Sequence, residues 1–221
     1  SGHLEAQYIL ANYLKSDNKI KHNYKQSVKY YTLAANAGHQ LAQFELAEMY
    51  DIGDKIKRDY KKSINFYKLS ASTGHLQSQI NLANLYMNGL GSETNFQEAI
   101  KWYEIAAQNG STDSNFILAT IYERGIGVEK NYKVSTDYYL KAAKEGNIKA
   151  QINLGVINVL GENTIQDYVK AHMWFNVAAA QGSELGRKYR NKLSNKMDLK
   201  DISKAQTLAR ICMEKNYKNC E

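Results

Sequence analysis

Gly2, Gly38, Gly74, Gly110, Gly146 and Gly182 stand 36 residues apart along a chain of 221 residues. The tripeptides before four of them also read alike: Ala35-Asn36-Ala37, Ala107-Gln108-Asn109, Ala143-Lys144-Glu145 and Ala179-Ala180-Gln181. A period of this length marks one supersecondary unit copied along the chain, and no copy can bury a core by itself. Five units follow, 3–38, 39–74, 75–110, 111–146 and 147–182, and residues 183–221 leave the pattern.

Each unit reads as two helices. The first carries Leu10, Leu46, Leu82, Leu118 and Leu154 at one position, each followed by a small residue, Ala11, Ala47, Ala83, Ala119 or Gly155. Tyr50, Tyr86 and Tyr122 share that face one turn later, and Gly53, Gly89, Gly125 and Gly161 supply a left-handed residue to end the helix. The first unit departs here, with Asp17. The second helix opens on an N-cap residue, Asn23, Asp59, Asn95, Asn131 or Asp167. An aromatic pair follows in every unit, Tyr30-Tyr31, Phe66-Tyr67, Trp102-Tyr103, Tyr138-Tyr139 and Trp174-Phe175, and then small residues. Large side chains on one helix therefore meet small ones on the next, and hairpins can stack closely.

Composition agrees with an all-α reading. There is no proline, which a fold of many strands and tight turns would hardly manage without. A hydrophobic fraction of 43% fits a folded chain, and no stretch approaches the roughly 18–20 apolar residues of a membrane span. The chain begins on Ser1 rather than Met, so an upstream signal peptide or further domain is expected, and with it a periplasmic or secreted location; a cytoplasmic one is the alternative.

The run Leu-Ala, Tyr, Gly, then Asn or Asp, aromatic, Ala, Trp-Tyr, Ala-Ala and Gly is seen in full at Ile80–Tyr86, Gly89, Asn95–Ala107 and Gly110. It resembles the Sel1-like repeat (SLR), a relative of the tetratricopeptide repeat, over residues 3–182. Residues 168–182 look like the last unit of many bacterial members. The resemblance implies a right-handed α-α superhelix that brings other proteins together without catalysis or cofactor, in a bacterial envelope or host-interaction setting. An envelope-associated regulator or hydrolase acting in cell-wall handling is the alternative, with peptidoglycan or a cell-wall enzyme as partner.

By analogy with tetratricopeptide grooves, partner contacts are expected on the first helices. The ladder is Asn12, Glu48, Asn84, Thr120 and Val156, flanked by Lys15, Asp51, Met87, Glu123 and Val159, with Tyr8, Phe44 and Phe116 on the rim. These residues lie outside the Leu-Ala-Tyr packing set. The surface turns apolar at Val156, Val159 and Leu160, where either a partner anchors or the terminal helices cover it.

Residues 183–221 read as two further helices, Ser183 to about Asn195 and one capped by Asp198, that close the end of the stack. They hold 10 Lys+Arg against 5 Asp+Glu, so most of the net charge of +7 sits there. Cys212 and Cys220 would be about 12 Å apart in one helix, too far to bond. They pair only if the helix ends near Asn216 and the chain folds back; otherwise Cys212 is buried and Cys220 exposed. The ending resembles that of exported SLR proteins, which favours pairing.

Other chemistry finds little support. His3, His39 and His75 hold one repeat position, so a ladder spaced at helix-packing distance would not converge on a metal ion. Gly89-Leu90-Gly91 and Gly125-Ile126-Gly127 follow no strand and complete no nucleotide fingerprint. Of 17 tyrosines, 13 sit at repeat positions expected to pack, so base stacking is not expected and nucleic acid is an unlikely partner. Basic clusters at Lys55, Lys57, Arg58, Lys61 and Lys62, and at Arg187, Lys188, Arg190 and Lys192, read as solvated surface, or as a site for an acidic protein or anionic membrane surface.

Overall fold

A computed structural model describes residues 2–16, 21–161, 165–218 and 220. Among these there are twelve helices and no strand. Five helix pairs come in order: α1 Gly2–Ser16 with α2 Lys21–Asn36, α3 Gln40–Ile52 with α4 Tyr60–Ser72, and α5 Leu76–Asn88 with α6 Phe96–Gln108; then α7 Thr112–Arg124 with α8 Tyr132–Lys144, and α9 Ile148–Leu160 with α10 Tyr168–Ala180. Helices α11 Glu184–Ser194 and α12 Leu199–Glu214 follow. The chain divides into two compact units, Ser1–Asn109 and Gly110–Glu221. No helix among the described residues is long and apolar enough to cross a membrane.

A helix of 13 residues is marginal alone, so these depend on their ends and on packing. Asp59, Asn95, Asn131 and Asp167 are N-caps, each accepting from the backbone N–H three residues on. Their own backbone N–H groups donate back to Tyr50, Tyr86, Tyr122 and Asn158 at 2.9–3.0 Å, closing the turn between the two helices. Gly89, at φ 63°, makes that turn possible, because a Cβ there would lie 2.6 Å from Thr94 Oγ1. Asn23 lies inside α2, which runs from Lys21, rather than ahead of it. The first repeat has no glycine at the position of the turn glycine in the other four. Asp17 lies outside the described residues.

Packing follows the large-to-small pattern. Leu46, Leu82 and Leu118 are 0% exposed, as are Ala11, Ala47, Ala83 and Ala119 beside them in the repeat. Each such leucine contributes about 2 kcal/mol of burial. Leu10 departs at 39% exposed, since no preceding hairpin lies against it among the described residues. Hairpins are also joined by polar bonds that sequence reading did not find. Gln43, Gln79 and Gln151 donate from Nε2 to Ala35, Ala71 and Ala143 O at 3.0–3.2 Å, tying a first helix to the last turn of the preceding second helix. Asn115 holds the same position but is one methylene shorter, and donates to Glu145 Oε2 at 3.4 Å.

The terminal segment is built differently from a sixth hairpin. Ser183 caps α11 as Ser111 and Asn147 cap α7 and α9, and α11 packs on α10 in the place of a next first helix. Gly186 permits the close approach, because a Cβ there would lie 2.9 Å from Ala178 Cβ. Helix α12, capped by Asp198, also packs on α10 through Ala209 and Cys212, both 0% exposed. It ends where Asn216 and Tyr217 take left-handed φ of 49° and 65°. The chain folds back, and Cys220 bonds Cys212 with the Cα atoms 4.6 Å apart.

Candidate interaction surface

The histidines of the repeat have a structural task. His39 and His75 are N-caps of α3 and α5, their Nδ1 atoms accepting from Ala42 N and Ser78 N at 3.2 Å. Ser111, Asn147 and Ser183 do the same for the later first helices, which is the sequence signal that identifies the position. The exposed edge of His39 reaches Glu5, with Nε2 3.1 Å from Oε2. Burial lowers the His75 pKa, against a weaker opposing pull from Glu45.

All thirteen residues of the expected partner surface are half-buried: Tyr8, Asn12, Lys15, Phe44, Glu48, Asp51, Asn84, Met87, Phe116, Thr120, Glu123, Val156 and Val159. They are not, however, free of packing roles. Tyr31, Tyr67, Tyr103 and Tyr139 occupy one position of the second helices, are at most 2% exposed, and point their hydroxyls at the first helix of their own hairpin. Tyr31 donates to Asn12 Oδ1 at 2.7 Å and Tyr103 to Asn84 Oδ1 at 2.5 Å. Tyr67 donates to Asp51 at 3.4 Å while accepting from Asn81 at 2.9 Å. Tyr139 donates to Glu123 at 3.0 Å, with Thr120 Oγ1 3.5 Å away. Asn12, Asp51, Asn84 and Glu123 thus satisfy buried phenols from the solvent side, so the expected separation of surface from packing fails at these four, while Thr120 donates to Phe116 O at 3.1 Å. Burial pushes the Tyr103 pKa up to about 12 and keeps all four phenols protonated as donors.

Within the N-terminal unit this surface is charged. Lys15 Nζ lies 2.5 Å from Glu45 and 3.9 Å from Glu48. Burial works against the Lys15 charge, but the two glutamates outweigh it and raise its pKa. Burial likewise raises the carboxyl pKa of Glu48, opposed by Lys15, and of Asp51, opposed by Tyr67 and Arg58. Tyr8 and Phe44 lie against the capping histidines His39 and His75, with ring centroids 4.5 Å apart in both pairs. Phe116 in the C-terminal unit packs on Tyr139 at 5.7 Å.

The fifth repeat is apolar at the corresponding positions. Val156 and Val159 pack with Phe175, and α11 lays Tyr189 and Leu193 over them, so the terminal helix covers part of this end. The first basic cluster is partly spent on local contacts: Arg58 donates to Ile52 O at 2.8 Å, and Lys62 reaches Asp59 at 3.6 Å and lies over the Tyr50 ring. In the second, Arg187 pairs with Glu184 at 2.6 Å and Arg190 donates to Asn176 at 3.0 Å. Of the tyrosines, full burial among the described residues is confined to Tyr31, Tyr67, Tyr103 and Tyr139, and Tyr13 is 69% exposed, so fewer are committed to the core than the repeat suggests.

The family model for the Sel1 repeat matches five successive segments, residues 4–39, 40–75, 76–111, 112–147 and 148–183. No curated protein gives a significant match. Among solved structures, the chain is similar to a protective antigen present in uropathogenic Escherichia coli strains, which displays an SLR fold. The two share 29% identity over 98% of this chain and 47% of that one, with a TM-score of 0.74. The chain thus spans about half the length of the Escherichia coli protein. It is also similar to a Sel1 repeat protein from Oxalobacter formigenes, with 27% identity over 95% of this chain and 88% of that one and a TM-score of 0.68. Together with the twelve helices and their recurring caps, these matches show that the chain belongs to the Sel1 repeat family, an all-α repeat fold that generally serves as a non-catalytic scaffold for protein interactions.

Proposed function

We propose that this chain is a protein-interaction adaptor that holds a partner on the solvent side of its first helices, in a bacterial envelope or host-interaction setting. The observation that carries the reading is the uniform half-burial of the thirteen surface residues beside leucines and alanines at 0% exposure. Their conformations are fixed in advance, Asn84 by Tyr103 and Lys15 by Glu45, so a partner would meet an ordered surface and lose less side-chain entropy on binding. The disulfide supports an oxidising compartment, periplasmic or secreted.

Site-specific photo-crosslinking in cells tests this. A photoreactive residue at Met87 or Glu48 should capture one discrete protein, whereas the same residue at the exposed Lys68 of α4 should not. Capture from Lys68 or from Lys188 alone would place the working surface elsewhere and reject the proposal.

A further inference from the structure

In the fifth repeat the position of the buried tyrosines holds Phe175, and the positions that accept phenolic hydroxyls hold Val156 and Val159. The small residue beside them becomes Gly155, where a Cβ would stand 2.3 Å from the Phe175 ring. One hairpin has therefore exchanged its polar surface for an apolar one. Helix α11 covers this surface incompletely. The Tyr189 ring packs 5.4 Å from Phe175 and Leu193 is 5% exposed, yet an open cavity of about 270 Å³ remains between α9, α10 and α11. Val156, Val159 and Phe175 line it, Leu160 stands in its wall at 55% exposed, and Lys192 and Lys196 line its outer side.

Resting on the protein-interaction reading above, we propose that this cavity is an anchor subsite for an acidic peptide segment. One large apolar side chain of the partner enters between α9 and α11, and carboxylates next to it pair with Lys192 and Lys196. Its open form argues for a side chain delivered by an outside chain rather than an engulfed small molecule, since Leu160 in the wall and both lysines are exposed to solvent. Charge argues for acid. Residues 183–196 hold five Lys and Arg against the single acid Glu184, which Arg187 already engages. Lys192 and Lys196 form no ion pair among the described residues. Such rim charges steer an acidic segment and fix its register, while the apolar contact holds it.

The test selects binders from a random octapeptide library displayed on phage, against the whole chain, and measures the winners as labelled peptides by fluorescence anisotropy. Enriched sequences should combine one large apolar residue with Asp or Glu close by. The double variant Lys192→Glu/Lys196→Glu and, separately, Leu160→Asp should each weaken binding by about tenfold or more. All three positions are exposed, so folding should be retained, with circular dichroism as the check. Enrichment without acidic residues, no enrichment, or binding unchanged in both variants would overturn the proposal. Peptides that ignore these variants but are lost with Glu48→Lys would leave the adaptor reading standing and remove only the anchor. Saturable binding of decanoate that the same variants abolish, with no peptide enriched, would also overturn it and assign the cavity to an amphiphilic anion.

Discussion

The bond between Tyr103 and Asn84 allows a prediction in which the fifth repeat supplies the control. Tyr103 is 2% exposed and its hydroxyl donates to Asn84 Oδ1 at 2.5 Å. Replacing Asn84 by Val, the residue found at the equivalent position two repeats later, Val156, strands a buried phenol without a partner, which costs about 1–3 kcal/mol. Replacing Tyr103 by Phe removes the phenol instead, and the half-buried Asn84 carboxamide can turn to water, so the loss is nearer about 0.5–1.5 kcal/mol. The double variant reproduces the arrangement of Phe175 and Val156. It should be more stable than the sum of the two single effects by about 1 kcal/mol or more, and no less stable than Asn84→Val alone. Urea unfolding of the four proteins followed by circular dichroism gives the cycle, and melting should move by about 2–4 °C per kcal/mol in a chain of this size. Additive single effects, or an Asn84→Val protein within about 0.3 kcal/mol of the parent, would refute the claim that surface residues anchor buried tyrosines.

Three further outcomes are expected. Gly110 has φ 90° with open space around it, so Gly110→Val should lose about 1–3 kcal/mol through backbone strain alone, and an unchanged melting temperature would contradict this. Intact-mass measurement without reductant should show the protein two hydrogens lighter than its reduced form, and Cys220→Ser should lower stability by about 2–3 kcal/mol on the loop-entropy estimate for this short ring; two free thiols in the purified protein would remove the argument for an oxidising compartment. Burial lowers the pKa of His75 and of His172, the latter also repelled by Arg190, so below the ordinary 6.5 the unfolded chain takes up protons first. Stability should therefore be full above that pH and fall as pH drops from 6.5 through the lower folded-state values. Because Asn147 caps α9 at the same position, His75→Asn should keep the cap and remove part of this pH dependence, and an unaltered slope of urea midpoint against pH would disprove the assignment.

Helix order, the caps at Asp59, Asn95, Asn131 and Asp167 and the glycine turns were legible because they depend on residues within one turn of each other. Asn23, in the repeat that lacks the turn glycine, falls inside a helix rather than ahead of it. The capping role of the histidines was hidden for a different reason. A histidine accepts a backbone bond only through an unprotonated Nδ1, so its capping role shows in the Ser and Asn that replace it at 111, 147 and 183 rather than in the histidine itself. The glutamine bonds between hairpins were hidden because donor and acceptor lie eight residues apart across a turn, a separation that no helical or strand period brings together.

The surface shows why a list of partner-contacting residues drawn from spacing alone is incomplete. Spacing places Asn84 and Glu123 on the first helices, but not the phenols of Tyr103 and Tyr139 that lie 19 and 16 residues away in sequence and hold them. Once these pairs are known, the repeats can be compared as if they were aligned relatives. Tyrosine goes with Asn, Asp or Glu in four of them, and phenylalanine goes with valine in the fifth. The polar members are therefore constrained by stability before any partner is considered, whereas Lys15, Glu48 and Met87 accept no phenol hydrogen and are freer to vary with the partner. Recognition chemistry should concentrate in those three and in the apolar cavity beside Lys192, because a change there leaves every buried hydroxyl of the stack satisfied.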